Sequence, residues 1–136
     1  MDTSETYIKM CEKAEEIHTE SLSEDSYCVV MSGGQTIYEG LLSSHKYPFH
    51  SPTAVKVITL PRQDQLQEIL DEPLDILLTG FYDFCGGSYY PTPSGAGFYV
   101  ETVKRFTSME QLWLAFLMSE RYQKEWDGVN WISPVI

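Results

Sequence analysis

A chain of 136 residues that is 43% hydrophobic and 13% aromatic can bury its own core, and one globular domain over residues 1–136 is predicted. This composition excludes a disordered protein, and no apolar run approaches the roughly 20 residues that span a bilayer. A net charge of −11 repels phosphate backbones, so direct binding of nucleic acid is not expected.

The N-terminal segment is predicted to form a helix. Apolar residues recur at helical spacing between residues 2 and 18 and give one apolar stripe. Asp2, followed by Glu5 three residues later, is predicted to form a capping box at the helix start. A polar connection then leads to the strands.

Four strands are predicted from β-type runs and turn signals. Residues 27–31 and 35–39 flank a Gly33-Gly34 turn and are predicted to form a hairpin. Residues 54–60 give the clearest strand, which ends at a proline. Residues 98–103 are predicted to add a fourth strand.

Three further helices are predicted, at residues 63–72, 74–85 and 108–124. Apolar residues lie nearly all round the helix at 74–85, so substantial burial is expected for it. Residues 86–97 are rich in Gly, Ser, Pro and Tyr, which is typical of a loop.

The last helix is predicted to be the central core helix. Thr107 and Glu110 have the spacing of a capping box at its start. Together these elements predict an α+β fold, in which a small, mostly antiparallel sheet packs against about four helices and the last helix lies across the sheet.

The sequence carries none of the common reaction motifs. It has no phosphate-binding glycine loop, no nucleophile elbow, no HExxH and no CxxC. Cys11, Cys28 and Cys85 lack a disulfide spacing, and His45 and His50 form at most one loose ligand pair. No catalytic residue, metal ligand or cofactor is therefore predicted, and a reduced, cytoplasmic location is expected.

The negative charge is unevenly distributed. No Lys or Arg lies between Lys13 and Lys46, or between Arg62 and Lys104. One interpretation is an acidic protein whose charge only prevents association. The other is an acidic surface that docks on a basic protein partner, with nucleic-acid mimicry as one form.

Arg62, Gln63 and Gln65 form the most distinctive polar cluster. They stand at the predicted start of the helix at 63–72, where amides can reach free backbone N–H groups. A capped helix start is the structural interpretation. The functional one is a recognition site in which the arginine and amides bind a ligand or partner.

Trp126 and Trp131 flank an Asp127-Gly128 turn, and a small terminal hairpin is predicted there. The two indoles can close one end of the core. They can also form an exposed aromatic contact of the kind that interfaces favour, including a contact between copies of the chain.

Four segments resemble a family of small proteins found in phages and prophages. They are residues 11–17, 60–70, 109–116 and 125–131, which occur in matching order and together cover about a quarter of the chain. The most specific string is Leu-Pro-Arg-Gln-Asp-Gln-Leu at the start of the second segment. The family has no known activity, so the resemblance implies a small intracellular accessory protein and transfers no catalytic role.

These observations favour a non-enzymatic binding or accessory protein that acts through an acidic or aromatic surface. The candidate binding residues are Arg62, Gln63, Gln65, Trp126 and Trp131. The alternative is a small-molecule binder or small enzyme with a pocket around Arg62. The sequence sets no oligomeric state.

Overall fold

The computed structural model describes residues 1–19, 26–41, 55–86 and 104–133. The predicted strand at 98–103 and loop residues 87–97 lie outside these ranges. The chain divides into two compact units. Residues 1–62 and 126–131 form the first unit, and residues 63–125 and 132–136 form the second. The single domain stays a prediction.

Helix α1 (Glu5–Lys13) opens the first unit, and its cap differs from the predicted one. The Ser4 hydroxyl accepts a hydrogen bond of 3.2 Å from the Tyr7 backbone N–H. Asp2 instead accepts the Ser4 backbone N–H at 2.8 Å. Ser4 is the cap because its extended backbone brings the hydroxyl to a free helix amide. The predicted box of Asp2 and Glu5 is therefore wrong.

The predicted N-terminal helix is also shorter than expected. The α-helix ends at Lys13 with Ala14 as its C-cap, and Glu15–Thr19 follow as a 3₁₀ helix. The predicted apolar stripe of this helix is nevertheless confirmed, because its residues Tyr7, Met10 and Cys11 are fully buried.

Three strands form an antiparallel sheet with the order β2-β1-β3. They are β1 (Tyr27–Ser32), β2 (Gln35–Leu41) and β3 (Val55–Leu60). Gly33 and Gly34 join the first two with φ angles of 58° and 81°. Positive φ at both central positions is the requirement of a type I′ turn, whose twist matches the strands. The predicted hairpin is confirmed.

Helix α1 packs against β3 within the first unit. The Tyr7 hydroxyl donates to the Pro61 carbonyl at 2.7 Å, just beyond the end of β3. Lys56 Nζ and Glu12 Oε1 form an ion pair at 2.6 Å between strand and helix. Ile58 and Leu60 are buried, so this contact is the core of the first unit.

The second unit contains three α-helices in its described part. They are α2 (Gln63–Leu70), α3 (Leu74–Phe84) and α4 (Met109–Tyr122), and both α2 and α3 pack on α4. With α1 they make four α-helices in the described ranges beside an antiparallel sheet, which confirms the α+β fold.

Helix α4 carries the largest buried face, with residues 111–118 all buried. The Ser108 hydroxyl caps it by accepting the Gln111 backbone N–H at 3.1 Å. The Gln111 side chain reaches back, accepting from Thr107 N at 3.1 Å and donating to Thr107 Oγ1 at 3.0 Å. The reciprocal cap thus uses Ser108 and Gln111, one residue later than the predicted Thr107 and Glu110.

The predicted terminal hairpin is present as β4 (Glu125–Trp126) and β5 (Trp131–Ile132). Asp127 Oδ1 accepts the backbone N–H groups of Val129 and Asn130, each at 2.7 Å. An aspartate that satisfies the amides following it stabilises a tight turn.

Candidate protein-binding surface

Helix α3 departs most from the sequence expectation of a helix buried all round. Among its residues only Leu77 is buried, at 5% exposure. Leu74, Ile76, Leu78 and Tyr82 are 68%, 55%, 55% and 60% exposed. The expectation of substantial burial is therefore wrong, and the helix presents apolar side chains to solvent.

One row of side chains holds α3 on α4. The Phe81 ring stacks on Trp113 with centroids 3.8 Å apart and meets the edge of Phe116 at 5.6 Å. Phe84 meets Phe116 at 5.4 Å. A Cβ atom at Gly80 would lie 3.2 Å from Phe116 Cζ, so the glycine permits the close approach. This inward row fixes α3 on α4, while a neighbouring row of side chains stays exposed along one flank of the helix.

The outward row consists of Leu74, Leu78 and Tyr82. These residues are spaced i, i+4, i+8 and form a ridge about 12 Å long, given the 1.5 Å rise of an α-helix. A contiguous exposed apolar patch on a soluble protein marks an interaction site more often than scattered apolar residues do.

A cavity of about 500 Å³ lies beside this row and is lined by Leu78, Thr79, Phe81, Tyr82 and Cys85. The Thr79 hydroxyl already donates to the Asp75 carbonyl at 2.8 Å. Burial raises the pKa of the Cys85 thiol, which keeps it neutral. The lining therefore favours apolar groups over charged or strongly polar ones.

A second depression of about 350 Å³ adjoins the first and shares Thr79 with it. Among the described residues, Asp75, Ile76, Gly80 and Asp83 also line it. Asp75 and Asp83 are both exposed, so this depression is the acidic counterpart of the apolar cavity.

The chain segment that contains α3 carries charges of one sign only. Residues 63–86 contain six carboxylates and no Lys, Arg or His. Arg121 of α4 extends to α2, where its guanidinium donates to the carbonyls of Ile69 at 2.7 Å and Leu70 at 3.3 Å. That arginine caps the C-terminus of α2, where a cation is favoured by the helix dipole.

The predicted polar cluster is divided between the two units. All three side chains are half-buried. Arg62 ends the first stretch of the first unit, whereas Gln63 and Gln65 lie in the first turn of α2, which belongs to the second unit. The expected helix start at Gln63 is confirmed. A binding role for Arg62, Gln63 and Gln65 stays a prediction.

The two predicted tryptophans come together in the first unit. The rings of Trp126 and Trp131 lie 5.1 Å apart, tilted by 55°, and are 6% and 8% exposed. Trp131 Nε1 donates to the Met10 carbonyl at 2.9 Å. These contacts place both indoles in the core of the first unit and leave little ring surface for a partner. Their role in binding stays a prediction.

The sequence interpretation missed the outward row of α3. An apolar helix looks the same in sequence whether one side or every side is covered. A usable signal is nevertheless present, because Asp75 and Asp83 alternate with the apolar residues and a fully buried helix would exclude them.

The described residues hold no cluster of three or more His, Cys, Asp or Glu side chains suited to a metal ion. Within the same ranges no helix is long and apolar enough to cross a membrane. No protein-family model, curated protein or solved structure matches this chain. The resemblance to phage proteins stays a prediction.

Proposed function

We propose that the protein is a non-enzymatic binding protein that docks a basic protein partner on the outward face of α3. The observation that carries the proposal is the exposed row of Leu74, Leu78 and Tyr82 within a segment of six carboxylates and no cation. The apolar row supplies affinity, and the carboxylates select the sign of the partner's charge.

The apolar part of the surface is sufficient for useful affinity. Complete burial of a leucine side chain contributes about 1.5 to 3 kcal/mol, and these side chains are already partly covered. Burial of the row by a partner therefore contributes about 1 kcal/mol per residue. Attraction between opposite charges adds mainly to the association rate and to specificity.

The charge of this surface argues against a second copy of the chain as the occupant. Two copies meeting through α3 would bring four carboxylates of that helix together, Asp75 and Asp83 from each copy, without a cation from α3. Like charges placed opposite each other at an interface destabilise it. A partner with Lys and Arg residues reverses the sign of this interaction.

We further propose a cytoplasmic location. Cys11, Cys28 and Cys85, all of which lie in the described ranges, form no disulfide. Free thiols in that number are typical of a reducing compartment.

The proposal is tested with two synthetic amphipathic peptides that share a leucine face and carry either Lys or Glu on the polar face. Fluorescence anisotropy is recorded in low and high salt. We expect the Lys peptide to bind and to weaken with salt, and the Glu peptide not to bind.

The contribution of the apolar row is tested with the variant Leu78→Ser, and Leu41→Ser is its control. Leu41 is 44% exposed at the end of β2, so both variants remove the same side chain from an exposed site. We expect Leu78→Ser to weaken binding about tenfold, for a loss of about 1.4 kcal/mol, and Leu41→Ser to leave it unchanged. Equal binding of both peptides, or equal losses in both variants, would overturn the proposal.

A further inference from the structure

We infer that the partner segment is an α-helix that places an apolar side chain in the cavity beside Leu78 and a Lys or Arg in the depression between Asp75 and Asp83. This inference rests on the proposed function and specifies the partner's sequence pattern. It follows from the two neighbouring depressions of α3 and from their opposite chemistry.

The apolar cavity is suited to an anchor side chain. Its volume of about 500 Å³ falls in the usual range of ligand sites and exceeds what one side chain fills. Phe81 and Tyr82 contribute aromatic side chains to its lining, and the Thr79 hydroxyl already donates a hydrogen bond to the Asp75 carbonyl. A leucine, phenylalanine or tryptophan gains contact there without leaving a polar group unsatisfied.

The acidic depression is suited to a long cationic side chain. Asp75 and Asp83 are eight residues apart, or about 12 Å along the helix. Ile76 lines the same depression and is 55% exposed, so its side chain is accessible from solvent. The methylene stem of a Lys or Arg can lie over that isoleucine while its charged head reaches a carboxylate.

The shape of the surface favours a helical partner over an extended one. The outward row follows the i, i+4, i+8 ridge of α3, and such ridges pack into the grooves of another helix. The two depressions share Thr79 and therefore lie side by side across the ridge. A partner helix reaches both from residues three or four positions apart, which face the same side.

The helical spacing of apolar and basic residues in the partner is tested with two peptides of identical Leu and Lys composition. In one the leucines recur at i, i+4, i+7 with lysines one turn away, and in the other leucine and lysine alternate. We expect the helical pattern to bind at least about tenfold more tightly and to gain helical circular dichroism on binding. Equal binding of both peptides would overturn this inference and leave the proposed function standing. Failure of both to bind would overturn the proposed function itself.

The acidic contact is tested by a charge reversal. In Asp75→Lys/Asp83→Lys we expect the Lys peptide to lose at least about tenfold in affinity and the helical Glu peptide to gain binding. Glu5→Lys/Glu125→Lys is the control, because it changes the net charge equally at exposed sites on other elements. A loss no greater than that of the control would overturn the role of Asp75 and Asp83. Each of the two double variants changes the net charge by four, and circular dichroism of both verifies that α3 remains folded.

Discussion

The thiol of Cys11 is fully buried in α1, and burial raises its pKa far above the ordinary value, while the side-chain hydrogen bond of Tyr7 opposes the shift. Burial disfavours the thiolate because the charged form loses its hydration. Cys11 therefore stays protonated in the folded protein over the range in which an exposed cysteine ionises. Because the pKa of Cys11 differs between the folded and the unfolded chain, this residue makes the free energy of unfolding depend on pH.

The free energy of unfolding is expected to fall above about pH 8.5, where a thiol in the unfolded chain begins to ionise. The contribution of Cys11 is complete below that pH, because both states are then protonated. It is lost at up to about 1.4 kcal/mol per pH unit as the pH rises, because only the unfolded chain releases the proton. Urea unfolding at pH 7 to 10 measures this slope.

Cys11→Ala isolates the effect, since it removes the thiol while leaving the tyrosines and lysines that also titrate. The variant should lose less stability between pH 8.5 and 10 than the native chain does. Cys85→Ala is the control, because Cys85 is only half-buried and retains part of its hydration. Identical slopes in the native chain and Cys11→Ala would rule out this contribution.

At the scale of elements, serine caps fix where two helices begin. Ser4 and Ser108 each accept a backbone N–H three residues ahead, from Tyr7 and Gln111. At α4 the neighbouring threonine and Gln111 also bond to each other, so the first turn is held from both directions. A helix start with this many satisfied groups resists fraying.

Ser108→Ala should lower the free energy of unfolding by about 1 kcal/mol, because it leaves a helix N–H without its side-chain acceptor. Chemical unfolding followed by circular dichroism measures the loss. Ser133→Ala, an exposed serine beyond β5, should change stability by less than about 0.5 kcal/mol. A similar effect of both substitutions would show that the cap contributes nothing.

Helix α3 shows how one element can have two apolar rows with different roles. Leu77, Phe81 and Phe84 serve packing on α4, whereas Leu74, Leu78 and Tyr82 face outward. Periodicity predicts the helix itself, since seven apolar residues in this short segment favour a buried helix. It cannot predict which row faces α4, because that depends on how many other elements cover the helix.

At the scale of the whole molecule, residues 63–86 form a segment whose charges all have one sign. Residues 63–86 carry six carboxylates and no cation, and so account for −6 of the net −11. The same segment carries the outward row of α3. Charge of one sign near an apolar row limits self-association, and the proposed basic partner would carry the opposite sign.

We expect the protein to be monomeric, with a mass of 15.6 kDa by sedimentation velocity, at concentrations up to about 100 µM in low salt. The like charges of α3 oppose pairing through that face, and the buried Trp126 and Trp131 offer little surface for pairing through the terminal hairpin. A dimer mass in low salt would contradict this expectation. Loss of that dimer in Leu78→Ser would then assign the contact to α3.

Local chemistry in the sequence determined much of the fold. Alternating runs, a Gly33-Gly34 turn and helical periodicity predicted the strands of the sheet and the positions of the helices to within a few residues. These features follow from backbone dihedral preferences and short-range contacts, which the sequence contains directly. The helix caps were displaced by one or two residues, because neighbouring Ser, Thr and Asp side chains compete for the same amides.

The tertiary structure alone decided which side chains are exposed. Trp126 and Trp131 were candidates both for the core and for a contact surface. The hydrogen bond from Trp131 to Met10, which joins residues 121 positions apart, accounts for their burial, and a role in binding stays a prediction. Leu74, Leu78 and Tyr82 were candidates for the core and instead face solvent. The sequence determined the elements and the acidity of this protein, whereas exposure required the long-range packing that no local pattern contains.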